Sequence, residues 1–151
     1  MEVHYSSKSN EWETPEILFN KLNDEYNFTL DPCCTKDNAK CEKYYSIEDD
    51  GITKSWKGEV VFMNPPYGRV IGKWIEKAYS ESVDNGVTVV CLIPSRTDTI
   101  WWHNYCMKGR ITFLKGRLKF INRALPSWNA EGKYKVSPAP FPSAIVIFKG
   151  K

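Results

Sequence analysis

The sequence predicts an α/β fold in one domain, with parallel strands in the middle and a mainly antiparallel C-terminal end. Two apolar, β-branched runs, EVVFMNPPYG at 59–68 and VTVVCLIP at 87–94, flank a segment at 70–83 whose Trp74, Ile75, Ala78 and Tyr79 repeat at helical spacing. Strand, helix, strand in that order is the pattern of a parallel βαβ unit, and continuous apolar runs mark strands covered on both faces. The length, 151 residues at 42% apolar and 26% charged content, supplies one core and leaves no room for a second domain of ordinary size.

The elements follow in chain order. PEILFNKLNDEY at 15–26 places Ile17, Leu18, Leu22 and Tyr26 at helical spacing, with Thr14 as N-cap, Pro15 at the first helical position and Glu16 in the first turn. NFTLDP reads as a short strand ending at Asp31, while TKDNAKCEKYY after it is polar and ambiguous. The 59–68 strand breaks abruptly at Pro65, Pro66 and Gly68, and Asn85-Gly86 ends the 70–83 helix. DTIWWHNYCM predicts a short helix, RITFLKGRLKFI two strands around Lys115-Gly116, and SAIVIFK a last strand. Residues 122–143 read as a long Pro/Gly-rich loop, a length that usually serves function in so small a domain.

Five cysteines, Cys33, Cys34, Cys41, Cys91 and Cys106, are odd in number and show no C-x-x-C spacing, so neither a disulfide framework nor a zinc site is expected. Only His4 and His103 could add imidazole ligands, and no metal is expected. The N-terminal residues lack the apolar core of a secretion signal, and no apolar run approaches a membrane span, so a cytoplasmic protein without membrane association is expected. Charge is divided unevenly. Residues 1–106 carry 11 Lys and Arg against 17 Asp and Glu, whereas 107–151 carry 10 against Glu131 alone. A basic C-terminal third either solvates strands and loops or presents a surface to a polyanion such as a phosphate backbone.

The strongest chemical signal is Asn64-Pro65-Pro66-Tyr67 directly after an apolar strand. In an open parallel sheet the C-terminal strand ends form the ligand crevice. An Asn side-chain oxygen and the Pro65 carbonyl are two acceptors for an exocyclic amino group; the prolines fix the carbonyl's direction, and a Tyr ring offers a stacking face. A Pro-rich turn after a core strand would look the same, but the place at the end of a central strand favours function. Arg96-Thr97-Asp98 follows the second buried strand, so Arg96 and Asp98 belong to the rim of the same crevice.

At this point the sequence resembles the S-adenosylmethionine-dependent amino-methyltransferases, and within them the small phage-type DNA N6-adenine methyltransferases. The resemblance runs through EWETP at 11–15, LDPCCT at 30–35, EDDG at 48–51, NPPYG at 64–68, PSRTDTIWW at 94–102, GRLKF at 116–120 and APFPSAIVIF at 139–148. It implies a Rossmann-like methyltransferase domain with a mixed, mostly parallel sheet and helices on both faces. The short stretch between Asp31 and Asn64 would leave that sheet reduced by an element. The resemblance also implies methyl transfer from S-adenosylmethionine to the N6 amino group of adenine in DNA, in a bacterial or phage-infected cell. Asn64 and Pro65, with Pro66 behind them, would hold the amino group, and Tyr67 would stack on a base flipped from double-stranded DNA.

Glu13-Thr14-Pro15, with Trp12 before it, resembles the family's N-terminal cofactor segment, where a helix start meets the methionine carboxylate, and Asn64 would also touch the cofactor. Asp31, with Pro32 after it, resembles the acidic residue that pairs with the cofactor's ammonium group, and Asp50 the one at its adenine end. The family's glycine-rich loop is replaced by Pro32-Cys33-Cys34-Thr35. Phe141 and Phe120 are candidates to pack on the extruded base. Lys115, Arg117, Lys119, Arg123, Lys133 and Lys135 would contact phosphates, and 122–143, with Arg123, Trp128 and Tyr134, would read sequence. Two other readings fit the same motifs: methylation of cytosine N4 or a protein amide, and a DNA-binding module without catalysis.

Overall fold

The two apolar runs form the centre of a six-stranded sheet, and everything else is arranged around their C-terminal ends. The computed structural model describes residues 12–121 and 136–151. In chain order these contain helix α1 (Glu16–Tyr26), strands β1 (Leu30–Asp31), β2 (Lys43–Tyr44) and β3 (Val60–Met63), helix α2 (Ile71–Asn85), strand β4 (Thr88–Pro94), helix α3 (Ile100–Asn104), and strands β5 (Arg110–Phe113), β6 (Lys119–Ile121), β7 (Val136–Pro138) and β8 (Ser143–Phe148). The large sheet has the order β2-β1-β3-β4-β8-β5. Its first four strands are parallel, whereas β8 runs antiparallel to both β4 and β5. The expected βαβ unit is β3-α2-β4, with Phe62 opposite Val90 and Met63 opposite Cys91.

Strand β4 is the core of the core. Val89, Val90, Cys91, Leu92 and Ile93 are fully buried, and burying each of the larger aliphatic side chains contributes roughly 1.5–3 kcal/mol. Helix α2 covers the sheet with Ile71, Trp74, Ile75 and Ala78. It stops where Gly86 takes a left-handed conformation (φ 68°), as the Asn85-Gly86 pair predicts. Among the described residues no helix is long and apolar enough to cross a membrane.

Three expectations need correction. Thr14 does not cap α1: the Pro15 carbonyl accepts the first helical bond, from the Phe19 N–H (3.1 Å), no side chain caps the helix, and the Thr14 hydroxyl is engaged elsewhere. Ile17 is 85% exposed, while Phe19 is 6% exposed and packs on Phe28 and Phe62. Two residues are a rotation of roughly 200° on a helix, so choosing Phe19 for the core turns Ile17 outward. The two strands expected on either side of Lys115-Gly116 are present, and they belong to different sheets. Strand β5 is taken by β8, with Ile111 opposite Val146, and β6 pairs with β7 in a separate two-stranded ribbon. The 122–143 loop is therefore shorter at its C-terminal end, since Val136–Pro138 is strand; 122–135 lie outside the described residues.

Candidate active site

The strand order creates the site. From β1 the chain crosses to β2 on one side, and from β3 it crosses through α2 to β4 on the other, so the connections diverge between the adjacent strands β1 and β3. That divergence opens a crevice at the C-terminal strand ends. Asp31 is the last residue of β1 and Asn64 the first after β3.

On the β3 side, Asn64 Nδ2 donates to the Trp12 carbonyl and to Thr14 Oγ1 (3.0 Å). Asn64 Oδ1 is buried and has no hydrogen-bond partner among the described residues. A carbonyl can only accept, so the Trp12 contact identifies which end of the amide is the nitrogen. The unpaired atom is thus the acceptor oxygen, at the strand end where the sequence places an amino-group holder. A buried acceptor left unpaired costs about 1–3 kcal/mol and is the kind of cost that a bound donor removes.

Tyr67 is buried, and its hydroxyl donates to the Leu92 carbonyl of β4 (3.0 Å), so burial pushes the phenol far above its usual range. Its ring lies 5.5 Å from Phe141 and 6.5 Å from Phe120, while Trp12 lies 5.2 Å and 5.5 Å from the same two rings. The structure therefore brings together all three aromatic residues expected near a base, and adds Trp12 to them. A cavity of about 360 Å³ opens against this cluster, lined by Trp12, Tyr67, Phe141, Arg96, Thr99 and Trp101 among others. Arg96 sits over the Phe141 ring, 5.8 Å from its centroid. Phe120 lies behind the lining, and Asp98 is exposed and outside it.

On the β1 side the material is charged. Asp31 is 4% exposed; its carboxylate accepts from the backbone N–H of Lys40 (3.0 Å) and of Cys33 (3.4 Å). Burial outweighs those bonds and raises its pKa above the usual 3.8. The neighbouring thiols of Cys33, Cys34 and Cys41 are pushed up by burial and by Asp31 itself, which keeps them protonated at neutral pH. Pro32 is buried, and a side chain at Gly51 would meet the Pro32 carbonyl oxygen at 2.1 Å, so the Asp50-Gly51 backbone packs directly on the turn after β1. Asp50 itself is exposed with φ 53°; Asp49, whose carboxylate caps Ser46, and Glu48 line a second cavity of about 520 Å³ near the ends of β1 and β2.

Three features were not read from the sequence. Lys40, in the ambiguous polar segment, hydrogen-bonds Glu16 and lies 3.9 Å from Glu13, tying the turn after β1 to the start of α1. Thr99 and Trp101 line the aromatic cavity; their closeness to Arg96 in PSRTDTIWW was the available signal. The Ile121 N–H donates to the Glu13 carbonyl (3.0 Å), which pins the β6-β7 ribbon to the N-terminal segment. Lys115, Arg117 and Lys119 are exposed at and before β6. Arg123, Trp128, Lys133, Tyr134 and Lys135 lie outside the described residues.

With this geometry in place, similarity to known proteins is informative. A family model described as DNA N-6-adenine-methyltransferase (Dam) matches residues 4–150. A DNA N-6-adenine-methyltransferase of Haemophilus phage HP1 (strain HP1c1) is 28% identical over 142 residues, covering 93% of this chain and 79% of its own. One from Escherichia phage T1 is 27% identical over 128 residues, covering 70% of this chain and 54% of its own.

Proposed function

The chain belongs to the DNA N-6-adenine-methyltransferase (Dam) family, and from that premise we propose that it moves a methyl group from S-adenosylmethionine to the N6 amino group of adenine in double-stranded DNA, on a base turned out of the duplex. The observation that carries the reading is the buried Asn64 Oδ1 at the end of β3, which has no partner among the described residues. Asn64 Oδ1 and the Pro65 carbonyl accept the two hydrogens of the amino group, with Pro66 stiffening the loop. Holding both hydrogens withdraws the nitrogen lone pair from conjugation with the ring and leaves it available as nucleophile. Tyr67 and Phe141 offset the few kcal/mol of unstacking by packing on the base, with Phe120 behind them and Arg96 and Asp98 at the rim.

The donor side fits the same reading. Asp31, a buried carboxylate that accepts from two backbone N–H groups and lies in the field of Lys40, suits the donor's ammonium group. Trp12 and Pro15, at the start of α1, suit its carboxylate, and Pro32 and Asp50 frame its adenosine end. S-adenosylmethionine supplies a methyl carbon made electrophilic by its sulfonium. The protein's task is to align acceptor and donor across the β1-β3 crevice and to exclude water. Lys115, Arg117 and Lys119, together with Arg123, Lys133 and Lys135, contact phosphates. All 151 residues serve as one methyltransferase domain, acting in the cytoplasm of a bacterium or phage-infected cell, a reading the phage origin of both relatives supports.

The test is transfer of labelled methyl from S-adenosylmethionine to unmethylated duplex DNA, followed by nucleoside analysis. N6-methyladenine is the expected product. N4-methylcytosine or labelled protein would change the acceptor, and DNA binding without donor binding would make the chain a non-catalytic module.

A further inference from the structure

We infer that Thr14 is a positioning residue for the Asn64 amide, rather than a helix cap or a donor-binding group. The inference rests on the methyl-transfer reading for its consequence, but its geometry stands independently. A side-chain amide has two N–H donors and one acceptor oxygen. In Asn64 both donors are used, by the Trp12 carbonyl and by Thr14 Oγ1 at 3.0 Å, and the oxygen is buried with no partner among the described residues. Thr14 is 2% exposed, and it caps nothing in α1, since Pro15 holds that position without a side-chain bond.

Each partner contributes something different. The Trp12 carbonyl fixes which end of the amide is which, because rotating the amide by half a turn would set oxygen against oxygen. Thr14 takes the second N–H and stops the amide rocking about the first bond. Donating both N–H groups also polarises the amide, strengthening its oxygen as an acceptor. Removing the Thr14 hydroxyl leaves a buried N–H unpaired and the oxygen free to leave the position where it meets the amino group. The effect belongs to the methyl-transfer step and not to donor affinity.

The experiment compares Thr14→Val and Thr14→Ser with wild type in steady-state methyl transfer to duplex DNA, together with calorimetric donor binding. Thr14→Val is expected to lower kcat about tenfold with donor Kd within about twofold, and Thr14→Ser to restore most of the rate. In an Asn64→Ala background Thr14→Val should have no further effect, because the group it positions is gone. A raised donor Kd with kcat preserved, or additive losses in the double variant, would overturn the inference in favour of donor binding. Nuclear magnetic resonance of the Asn64 side-chain NH2 gives a readout without turnover: its solvent exchange should be slow in wild type and at least about tenfold faster in Thr14→Val. Unchanged exchange overturns the positioning role even if the wild-type protein proves not to methylate DNA, and faster exchange sustains it whatever the acceptor.

Discussion

On the β1 side of the crevice the wall is a buried carboxylate held by two backbone N–H groups and ringed by protonated thiols; on the β3 side are the neutral amide of Asn64 and the ring cluster of Trp12, Tyr67, Phe120 and Phe141. The first material recognises a charge, the second a planar ring with an amino edge. A buried charge binds strongly and changes with pH, whereas an amide and aromatic rings keep one state over the acid range in which a carboxylate titrates. The difference means that the two halves fail differently. The largest expected effect is on the neutral side: Asn64→Ala should lower kcat by about 10²–10³-fold, the loss typical of one preorganised group at a reacting centre, with donor Kd within about twofold. A comparable loss of donor affinity measured by calorimetry would erase the distinction between the two sides.

The charged side should fail through binding. Asp31→Asn is expected to weaken donor binding by about 10–100-fold, the worth of a charge-assisted hydrogen bond, while kcat at saturating donor changes less. Because burial raises the native pKa of Asp31 above 3.8, the folded protein without donor holds this proton more tightly than the unfolded chain does. Folding therefore carries a penalty above the raised native value, and the penalty is relieved as pH falls through it. Donor binding has the opposite dependence: pairing needs the ionised form, so it is present above that value and lost below it. Titrating donor affinity against pH should show an acid limb starting above the range of an exposed Asp, and Asp31→Asn should lack it.

The parts of this arrangement that were legible in the sequence are those fixed locally. Strand β3 and the loop after it announced themselves because an apolar run followed by two prolines marks a strand and its end, and α2 ended at Gly86 as its turn residues required. Asp31 was visible because a proline closes the strand behind it. What was not legible depends on partners distant in the chain. Ile17 and Phe19 are equally apolar, and only Phe28 and Phe62 decide which faces inward. β5 and β6 are legible as two strands around Lys115-Gly116, but that they join different sheets depends on β8 and β7. Thr14 has the residue type and place of an N-cap, and nothing in its neighbourhood discloses an Asn fifty residues away.

A smaller, structural effect probes how the charged side is assembled. Alanine at Gly51 would put a methyl group 2.1 Å from the Pro32 carbonyl, a backbone atom that cannot rotate aside. Gly51→Ala should cost about 1–3 kcal/mol of stability, seen as a lower Tm, and should weaken donor binding by displacing the turn after Asp31. Catalysis at saturating donor should change less, since Asn64 is held by Trp12 and Thr14 and not by this turn. An unaltered Tm would show that the turn yields without cost.

The smallest effect separates both halves of the crevice from the surface that brings DNA to them. Arg117 is exposed in the connection between β5 and β6, one residue after Gly116, whose φ of 75° turns the chain. A phosphate contact there is solvated, so its worth depends on released counterions: Arg117→Ala should weaken DNA binding modestly and lower the slope of log affinity against log salt by about 0.9. Donor binding to buried Asp31 is shielded from that screening, and its Kd should stay nearly flat over the same salt range. The two titrations together distinguish a surface that delivers the substrate from a pocket that holds the donor. An unchanged DNA slope in Arg117→Ala would remove this turn from the DNA-facing surface, and with it the link by which Ile121, bonded to Glu13, carries that surface to the segment that holds Asn64.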